Sequence, residues 1–380
     1  MKLNRKLEKI KESATLALNA KAKSLAKSGR KIFNLTAGEL DFPTHKSIQA
    51  KVALRLSESK YTDTLGIYEL REKIAGRLNF THSLKLVPQN VAVTAGAKQG
   101  LFAALSAILN PGDEVIIPTP VWVSYENQVV LAGGKPVFAG LSDDFDLDAK
   151  AIKKLVSLRT KAVIINTPHN PTGKIFSEKK LKELFTFLKN KRIFIITDEI
   201  YRTLSFGTKA KMPSDMIRNI KKLIIVDGFS KSHALTGWRI GFVAADLPVI
   251  ENINKYLGHT SGNVSVMSQV AALACLEDDK ATKEYVKLLR AKRALVAKLL
   301  NEIKKISYTV PGAAFYFFVN IGRVSKNSVK FCEELLRDEG VAVVPGEAFR
   351  APGFIRISFT APEATLQKGL SGLKRFIEKQ

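Results

Sequence analysis

Two cysteines in 380 residues leave little scope for covalent bracing or for a thiolate metal cluster. Cys275 and Cys332 allow at most one disulfide, and no Cys/His group has the spacing of a zinc site; both facts fit a reducing, cytoplasmic setting with no metal. Long apolar runs are also missing. None approaches the roughly 18 residues of a membrane span, so no membrane partner is expected. There is no internal repeat and no low-complexity linker. Acidic residues are scarce beside basic ones, 35 against 60, for a formal net charge of +25. Such an excess suits nucleic acid, acidic membranes or anionic substrates. The lysines are, however, spread over almost every predicted helix face, as in KLKELFTFLKNK (residues 180–191) and KLLRAKRALVAKLLNEIKK (residues 287–305). No basic stripe with a recognisable module or aromatic interleaving accompanies them. We read a solvated, lysine-rich surface and expect no nucleic-acid partner. Residues 1–31 hold ten Lys/Arg against Glu8 and Glu12, the charge of a transit peptide. The stretch is Lys-rich rather than Arg-rich and has no signal-peptide apolar core, so it is read as part of the mature chain.

What is present is ordinary in bulk: 46% hydrophobic and 25% charged residues, enough chain for one large and one smaller domain. After amphipathic segments in residues 1–30, a short strand (residues 32–35) enters the loop TAGELDFPT. Helical spacing follows over His45–Ser59 and Tyr68–Leu78, with the polar loop YTDTLG between them. Then short, uninterrupted apolar runs recur: VAVT (91–94), EVIIP (114–118), AVIIN (162–166), IFIIT (193–197) and LIIV (223–226). Helical patterns lie among them, including residues 97–109 and a segment beginning near Ser177. That alternation predicts an α/β fold with a mostly parallel sheet covered on both faces. Beyond Thr260 a long helical region (267–305) precedes AFYFFV, a helix over 328–339, VAVVPG and FIRISF, which read as a smaller α+β domain.

In parallel sheets ligands bind beyond the carboxyl ends of the strands. Asn170, Asp198 and Lys231 all lie just past such ends. Lys231, in the turn GFSKSHALTGWRIG (228–241), is a candidate Schiff-base nucleophile. Arg239, eight residues on, could bind a phosphate, and Gly96-Ala97-Lys98 opens a helix whose free N–H groups suit the same anion. Asp198 is a candidate counter-ion for a buried cation. Asn170 and Tyr201 could donate to a phenolate, and Trp122 could stack on a ring. Together they describe a pocket for an aromatic aldehyde phosphate.

These segments, with IKESATLALNAKAK, NLTAGELDFP, KYTDTLGIYELR, VTAGAKQGLF, PGDEVIIPTPVWVSY, NTPHNPTGKIF, TDEIYRTL, PGAAFYFF, VVPGEAF and FIRISF, resemble the bacterial-type aspartate aminotransferase subgroup of fold type I over nearly the whole chain. The resemblance implies a seven-stranded, mostly parallel sheet in a large domain (residues 46–285), with a small domain from residues 1–45 and 286–380. It implies pyridoxal 5′-phosphate as cofactor, carried by Lys231, which also moves the proton in the 1,3-shift. Asp198 keeps the ring nitrogen protonated, so that the ring serves as an electron sink. Asn170 and Tyr201 bond the phenolic oxygen and Trp122 stacks on the ring. Gly96, Ala97, Lys98, Ser230 and Arg239 complete the cofactor site, with backbone at Ala97 and Lys98 and the Arg239 side chain on the phosphate. Tyr61 resembles the tyrosine that reaches the phosphate from a neighbouring subunit, which implies a homodimer with shared sites. Arg356 resembles the residue that grips the substrate α-carboxylate, with Gly38, Asn170 and Trp122 beside it. Lys11, Thr15 and Lys98 match positions linked to a second carboxylate.

The implied reaction is a ping-pong exchange of the amino group between aspartate and 2-oxoglutarate, with prephenate as a further acceptor; aromatic amino acids and alanine are the alternative donors. Departures from the family pattern are Leu40, His169, Val121 and Glu12. His169 and Glu12 are expected near the substrate entrance. Two rivals share the machinery. A fold type I lyase would release pyruvate and ammonia without an acceptor. A cofactor-sensing regulator would need a DNA-binding module, for which the roughly 30 residues before TAGELDF offer no room.

Overall fold

The structure, a computed structural model, describes residues 5–8, 10, 14–207 and 211–380. After a helix over Ala14–Lys27, a two-residue strand, β1 (Phe33–Asn34), leads into the loop around Gly38. Seven strands then form the central sheet: β2 (Val91–Thr94), β3 (Glu114–Thr119), β4 (Lys135–Gly140), β5 (Thr160–Asn166), β6 (Phe194–Asp198), β7 (Leu223–Gly228) and β8 (Gly241–Ala244). Their order is β2-β8-β7-β6-β5-β3-β4. Neighbours from β7 to β4 pair in parallel, and β8 runs antiparallel to both β2 and β7. The five apolar runs read from the sequence are five of these strands. The other two were not legible as runs: β4 begins on an exposed lysine at the sheet edge, and β8 starts at the last residue of the Lys231 segment.

Alternation along the strands explains the layers. Ile116, Val163, Ile165, Ile195 and Ile225 pack into one apolar cluster, whereas Val115, Ile117, Ile164, Ile196 and Ile224 pack into another. Successive side chains point to opposite faces, so a run with no polar interruption is what a sheet buried on both sides requires.

A third core belongs to the smaller unit, built from β9 (Ser307–Tyr308), β10 (Tyr316–Asn320), β11 (Val341–Ala342), β12 (Val344–Pro345) and β13 (Phe354–Ser358). Its four-stranded sheet has the order β12-β13-β10-β9, while β11 pairs in parallel with β1. The expected long helix over 267–305 is two helices, Val266–Glu277 and Lys280–Asn301. Asp278 interrupts it, its carboxylate accepting the Lys280 amide at 2.8 Å. The second helix runs unbroken past residue 285, and its Ala281 and Tyr285 already pack in the smaller core. The helix expected over 45–59 ends at Ala53. Cys275 and Cys332 are both free, and lie in different cores. No helix of the described residues is long and apolar enough to cross a membrane.

Candidate active site

Strands β5, β6 and β7 end side by side, Asn166 opposite Asp198 and Asp198 opposite Val226 in the ladder. Their carboxyl ends open into a cavity of about 360 Å³ lined by Asn170, Asp198, Tyr201, Lys231, Arg239 and Arg356, among others. Residues that are far apart in the chain thus share one wall because the sheet is parallel.

Lys231 lies in the turn after β7, and its ammonium donates to the Gly38 carbonyl at 2.6 Å. Burial, with Arg239 and Arg356 nearby, lowers its pKa to about 8, against the opposing pull of Glu39 and Asp198. An ordinary lysine near 10.4 is almost wholly protonated at pH 8, whereas about half of Lys231 is then the free amine. In the cofactor-free protein, reactivity toward a small acylating reagent in limiting amount should therefore concentrate on Lys231 at pH 7.5–8. It should rise as pH increases through about 8, earlier than for bulk lysines. Peptide mass spectrometry of the labelled protein checks this; uniform labelling across the lysines would refute the shift.

Asp198 is buried at the end of β6. Tyr125 Oη donates to its Oδ2 at 2.7 Å and the Ile200 amide to Oδ1 at 3.2 Å. Burial dominates these bonds and raises the carboxyl to about 6, with Asp227 and Glu199 adding to the rise. Asn170 sits in the loop after β5, where the Asn166 side chain accepts its amide at 2.9 Å. Its Oδ1 accepts Arg356 Nη1 at 3.1 Å, and its Nδ2 reaches Tyr201 Oη at 3.5 Å. The Tyr201 hydroxyl also meets that of Tyr316 at 3.0 Å. Burial pushes the Tyr201 phenol well above its ordinary value, so it keeps its proton.

Arg356 comes from β13 of the smaller sheet, opposite Phe318 and Val344. Only 3% of it is exposed. Its guanidinium lies 4.2 Å from the Tyr316 ring centroid and 4.9 Å from that of Phe349. Nη2 donates to the Thr36 carbonyl at 3.1 Å, while Nε has no partner. Among the described residues no carboxylate lies on this buried cation, so its set of partners is incomplete and an anion is the natural complement.

The helix Ala97–Ile108 begins at Gly96, which has φ +82. A side chain there would need an unfavourable backbone and would place its Cβ 2.6 Å from Arg239 Nη2. Across the way, a Cβ on Gly241 would come 2.6 Å from the Ala97 amide nitrogen. Both glycines keep the helix N-terminus and the guanidinium close together, a combination suited to phosphate. Lys98 reaches over the Trp122 ring at 5.3 Å; burial, then the charge of Arg239, lowers its pKa. Ala97, Lys98, Trp122, Ser230 and Gly38 also line the cavity.

Five expected residues stand apart. Tyr61 is 97% exposed and makes no part of this chain's cavity wall. Lys11 and Glu12 lie outside the described residues, and Thr15 lies on the Ala14–Lys27 helix with its side chain outside them. His169 corrects an expectation: it is 3% exposed, hydrogen-bonded to Thr172 at 2.8 Å and packed on Phe176, not at an entrance. Burial lowers its pKa to about 3, so it is neutral packing. Tyr125, Tyr316, Glu39 and Thr236 also line the cavity and were not picked out as site residues. Glu39 accepts from Thr236 Oγ1 at 2.9 Å, tying the Gly38 loop to the Lys231 loop.

A helix N-terminus beside a guanidinium, a buried carboxylate and a lysine of lowered pKa around one cavity suit amino-group transfer, and the sequence comparison agrees. The family described as aminotransferase class I and II matches residues 30–373, and the chain belongs to it. Within that class it is 39% identical over 382 residues to an aspartate aminotransferase of Thermotoga maritima, with all of both chains covered. It is 37% identical to a protein of Aquifex aeolicus described as a probable aspartate/prephenate aminotransferase, 97% of each being covered. A crystal structure of an aspartate aminotransferase from Thermotoga maritima matches with a TM-score of 0.94 at 38% identity. It covers 99% of this chain and 100% of the other.

Proposed function

We propose that this aminotransferase uses pyridoxal 5′-phosphate and exchanges the amino group of aspartate with 2-oxoglutarate, in two half-reactions, with prephenate as a further acceptor. The observation that carries the reading is the convergence of Lys231, Asp198 and Arg356 on one cavity. The residues suit the cofactor: Arg239 and the Gly96–Ala97 turn would hold its phosphate, Asp198 its ring nitrogen, Asn170 and Tyr201 its phenolic oxygen, and Trp122 its ring face. When bound, the cofactor supplies an electron sink for charge that develops at the substrate α-carbon.

The protein's own contribution follows from the pKa order. Lys231, with its pKa near 8, can accept the α-proton as a free amine and return it as an ammonium. Asp198 remains a carboxylate above about pH 6, so a cation beside it is balanced. Tyr201, held as a neutral phenol, keeps a proton to donate. Arg356, already desolvated by Tyr316 and Phe349, offers two parallel N–H groups to an α-carboxylate, and Asn170 orients it. Lys98 supplies positive charge for a second carboxylate; Lys11 and Thr15 are proposed to assist. The exposed Tyr61 fits a role completed by a second copy of the chain, and the active assembly is proposed to be a homodimer.

A donor screen tests the reading: purified protein loaded with the cofactor, twenty amino acids against 2-oxoglutarate and oxaloacetate, then glutamate or aspartate against prephenate. With 2-oxoglutarate as acceptor, aspartate should lead by at least about tenfold, the worth of one well-placed charge contact. An aromatic amino acid or alanine in first place overturns the substrate assignment. Pyruvate and ammonia released with no acceptor would instead identify a lyase.

A further inference from the structure

Tyr125 has no part in the roles assigned above, yet it makes the shortest contact to the carboxylate on which they depend. Its side chain lies on the helix Ser124–Leu131, 3% exposed, and its hydroxyl donates to Asp198 Oδ2 at 2.7 Å. The second oxygen, Oδ1, is held by the Ile200 amide at 3.2 Å, and the Asp198 carbonyl accepts Asn166 Nδ2 at 3.0 Å. The Tyr125 ring is itself fixed edge-on to Trp122, with centroids 5.2 Å apart and planes at 87°. One side chain thus links the indole over the cavity to the carboxylate at its floor.

We propose that Tyr125 is a positioning residue for the transfer reaction: its hydroxyl aims the Asp198 carboxylate at the cofactor's ring nitrogen and keeps that carboxylate ionised. The proposal rests on the pyridoxal-phosphate reading of the cavity.

The surroundings make such help necessary. Asp198 faces Asp227 from β7 and Glu199 from its own segment, both buried acids that favour its protonation, as burial does. Arg202 is paired with Asp227 at 3.1 Å, and the His82 ring stands 3.9 Å from Glu199, so these basic side chains are engaged with the neighbouring acids. Lys231 faces Asp198 from the turn after β7, and Tyr201 from the turn after β6. Tyr125 and the Ile200 amide are the groups that act to hold Asp198 ionised through hydrogen bonds. Burial pushes the Tyr125 phenol well above its ordinary value, so the hydroxyl keeps its proton and stays a donor at every working pH. A carboxylate oxygen stripped of that donor would be buried without a partner and would take up a proton more readily.

The test uses pyridoxamine 5′-phosphate, which carries an amine in place of the aldehyde and so binds without a covalent bond to Lys231. Its affinity is measured by calorimetry from pH 5.5 to 8.5 for the cofactor-free protein and for Tyr125→Phe. The wild-type affinity should fall as pH drops through the ionisation of Asp198. In Tyr125→Phe the fall should begin about one pH unit higher, with about a tenfold loss near pH 6.5–7 that shrinks at pH 8.5. In an Asp198→Asn background the Tyr125→Phe change should lose this pH dependence. A fluorinated, more acidic tyrosine at position 125, nearly isosteric with the natural residue, should move the profile the other way and serves if Tyr125→Phe does not fold. Parallel curves, with the same loss at every pH, reduce Tyr125 to packing and overturn the proposal alone. Failure of the wild-type protein to bind pyridoxamine 5′-phosphate at any pH overturns the cofactor reading, and this proposal with it.

Discussion

Lys231→Ala should lower the turnover number by at least about 10²–10⁴-fold, the span of a positioned acid–base group, with the covalent role lost in addition. Three facts set that expectation. The amine projects into the cavity from the turn after β7, its pKa is held near 8, and its hydrogen-bond partner is the Gly38 carbonyl rather than a carboxylate. A lysine paired with an acid would be locked as an ammonium; this one can lose its proton and return. Other basic groups at the cavity do not replace it. Arg239 and Arg356 are guanidiniums that stay charged, and Lys98 is turned over the Trp122 ring. The variant should therefore fail to give a borohydride-stable adduct with the cofactor while still binding pyridoxamine 5′-phosphate through Arg239 and Asp198. A small primary amine added at high concentration should restore part of the rate, because the vacated space lies where a free amine is needed. Steady-state rates, intact mass after reduction, and the amine titration check the three parts. A variant that keeps both the adduct and the turnover would falsify the assignment of Lys231.

The residues legible in the sequence and those that were not divide on a physical line. Lys231, Asp198 and Asn170 follow strands that announce themselves as continuous apolar runs, because the sheet is buried on both faces. Parallel strands put their ends together without any further information. The Gly96 turn is legible for a similar local reason, since a glycine at a strand-to-helix junction marks a backbone with positive φ. Tyr125 and Tyr316 gave no such signal. Tyr125 reaches Asp198 across 73 residues of sequence and Tyr316 reaches Tyr201 across 115, separations that no local pattern encodes. Tyr316 also sits within AFYFFV, where a tyrosine reads as one more core aromatic. His169 misled in the opposite direction: a polar residue in a functional loop suggested the entrance, but Thr172 satisfies its ring and Phe176 covers it. Strand β8 was hidden because it begins at Gly241, the last residue of the lysine segment, and its antiparallel pairing with β2 and β7 is a tertiary fact.

Arg356 carries the second large expected effect, and it acts on binding rather than on proton transfer. Arg356→Leu should lower kcat/KM for dicarboxylic amino acids by about 10²–10³-fold, about 3–4 kcal/mol, the usual cost of removing one member of a desolvated, hydrogen-bonded charge pair. The guanidinium is held at its terminal nitrogens by Thr36 and Asn170 and lies over the rings of Tyr316 and Phe349, so its orientation is set before any substrate arrives. That pre-organisation is why Arg356→Lys should not rescue: an ammonium keeps the charge but cannot present two parallel N–H groups, nor stack on aromatic rings as a planar guanidinium can. The loss should appear mainly as a raised KM with the lysine variant and as losses in both KM and kcat with the leucine variant, where Asn170 Oδ1 is left without its donor and drifts from Tyr201. Thermal unfolding of the cofactor-free proteins separates this from damage to the fold. Among the described residues the buried cation has no carboxylate partner and its Nε is unpartnered, so replacing it by leucine should leave Tm unchanged or raise it by a few degrees. A variant that is both less active and much less stable would show that Arg356 chiefly braces the small sheet, and one with unchanged KM for every amino acid would remove it from the substrate site.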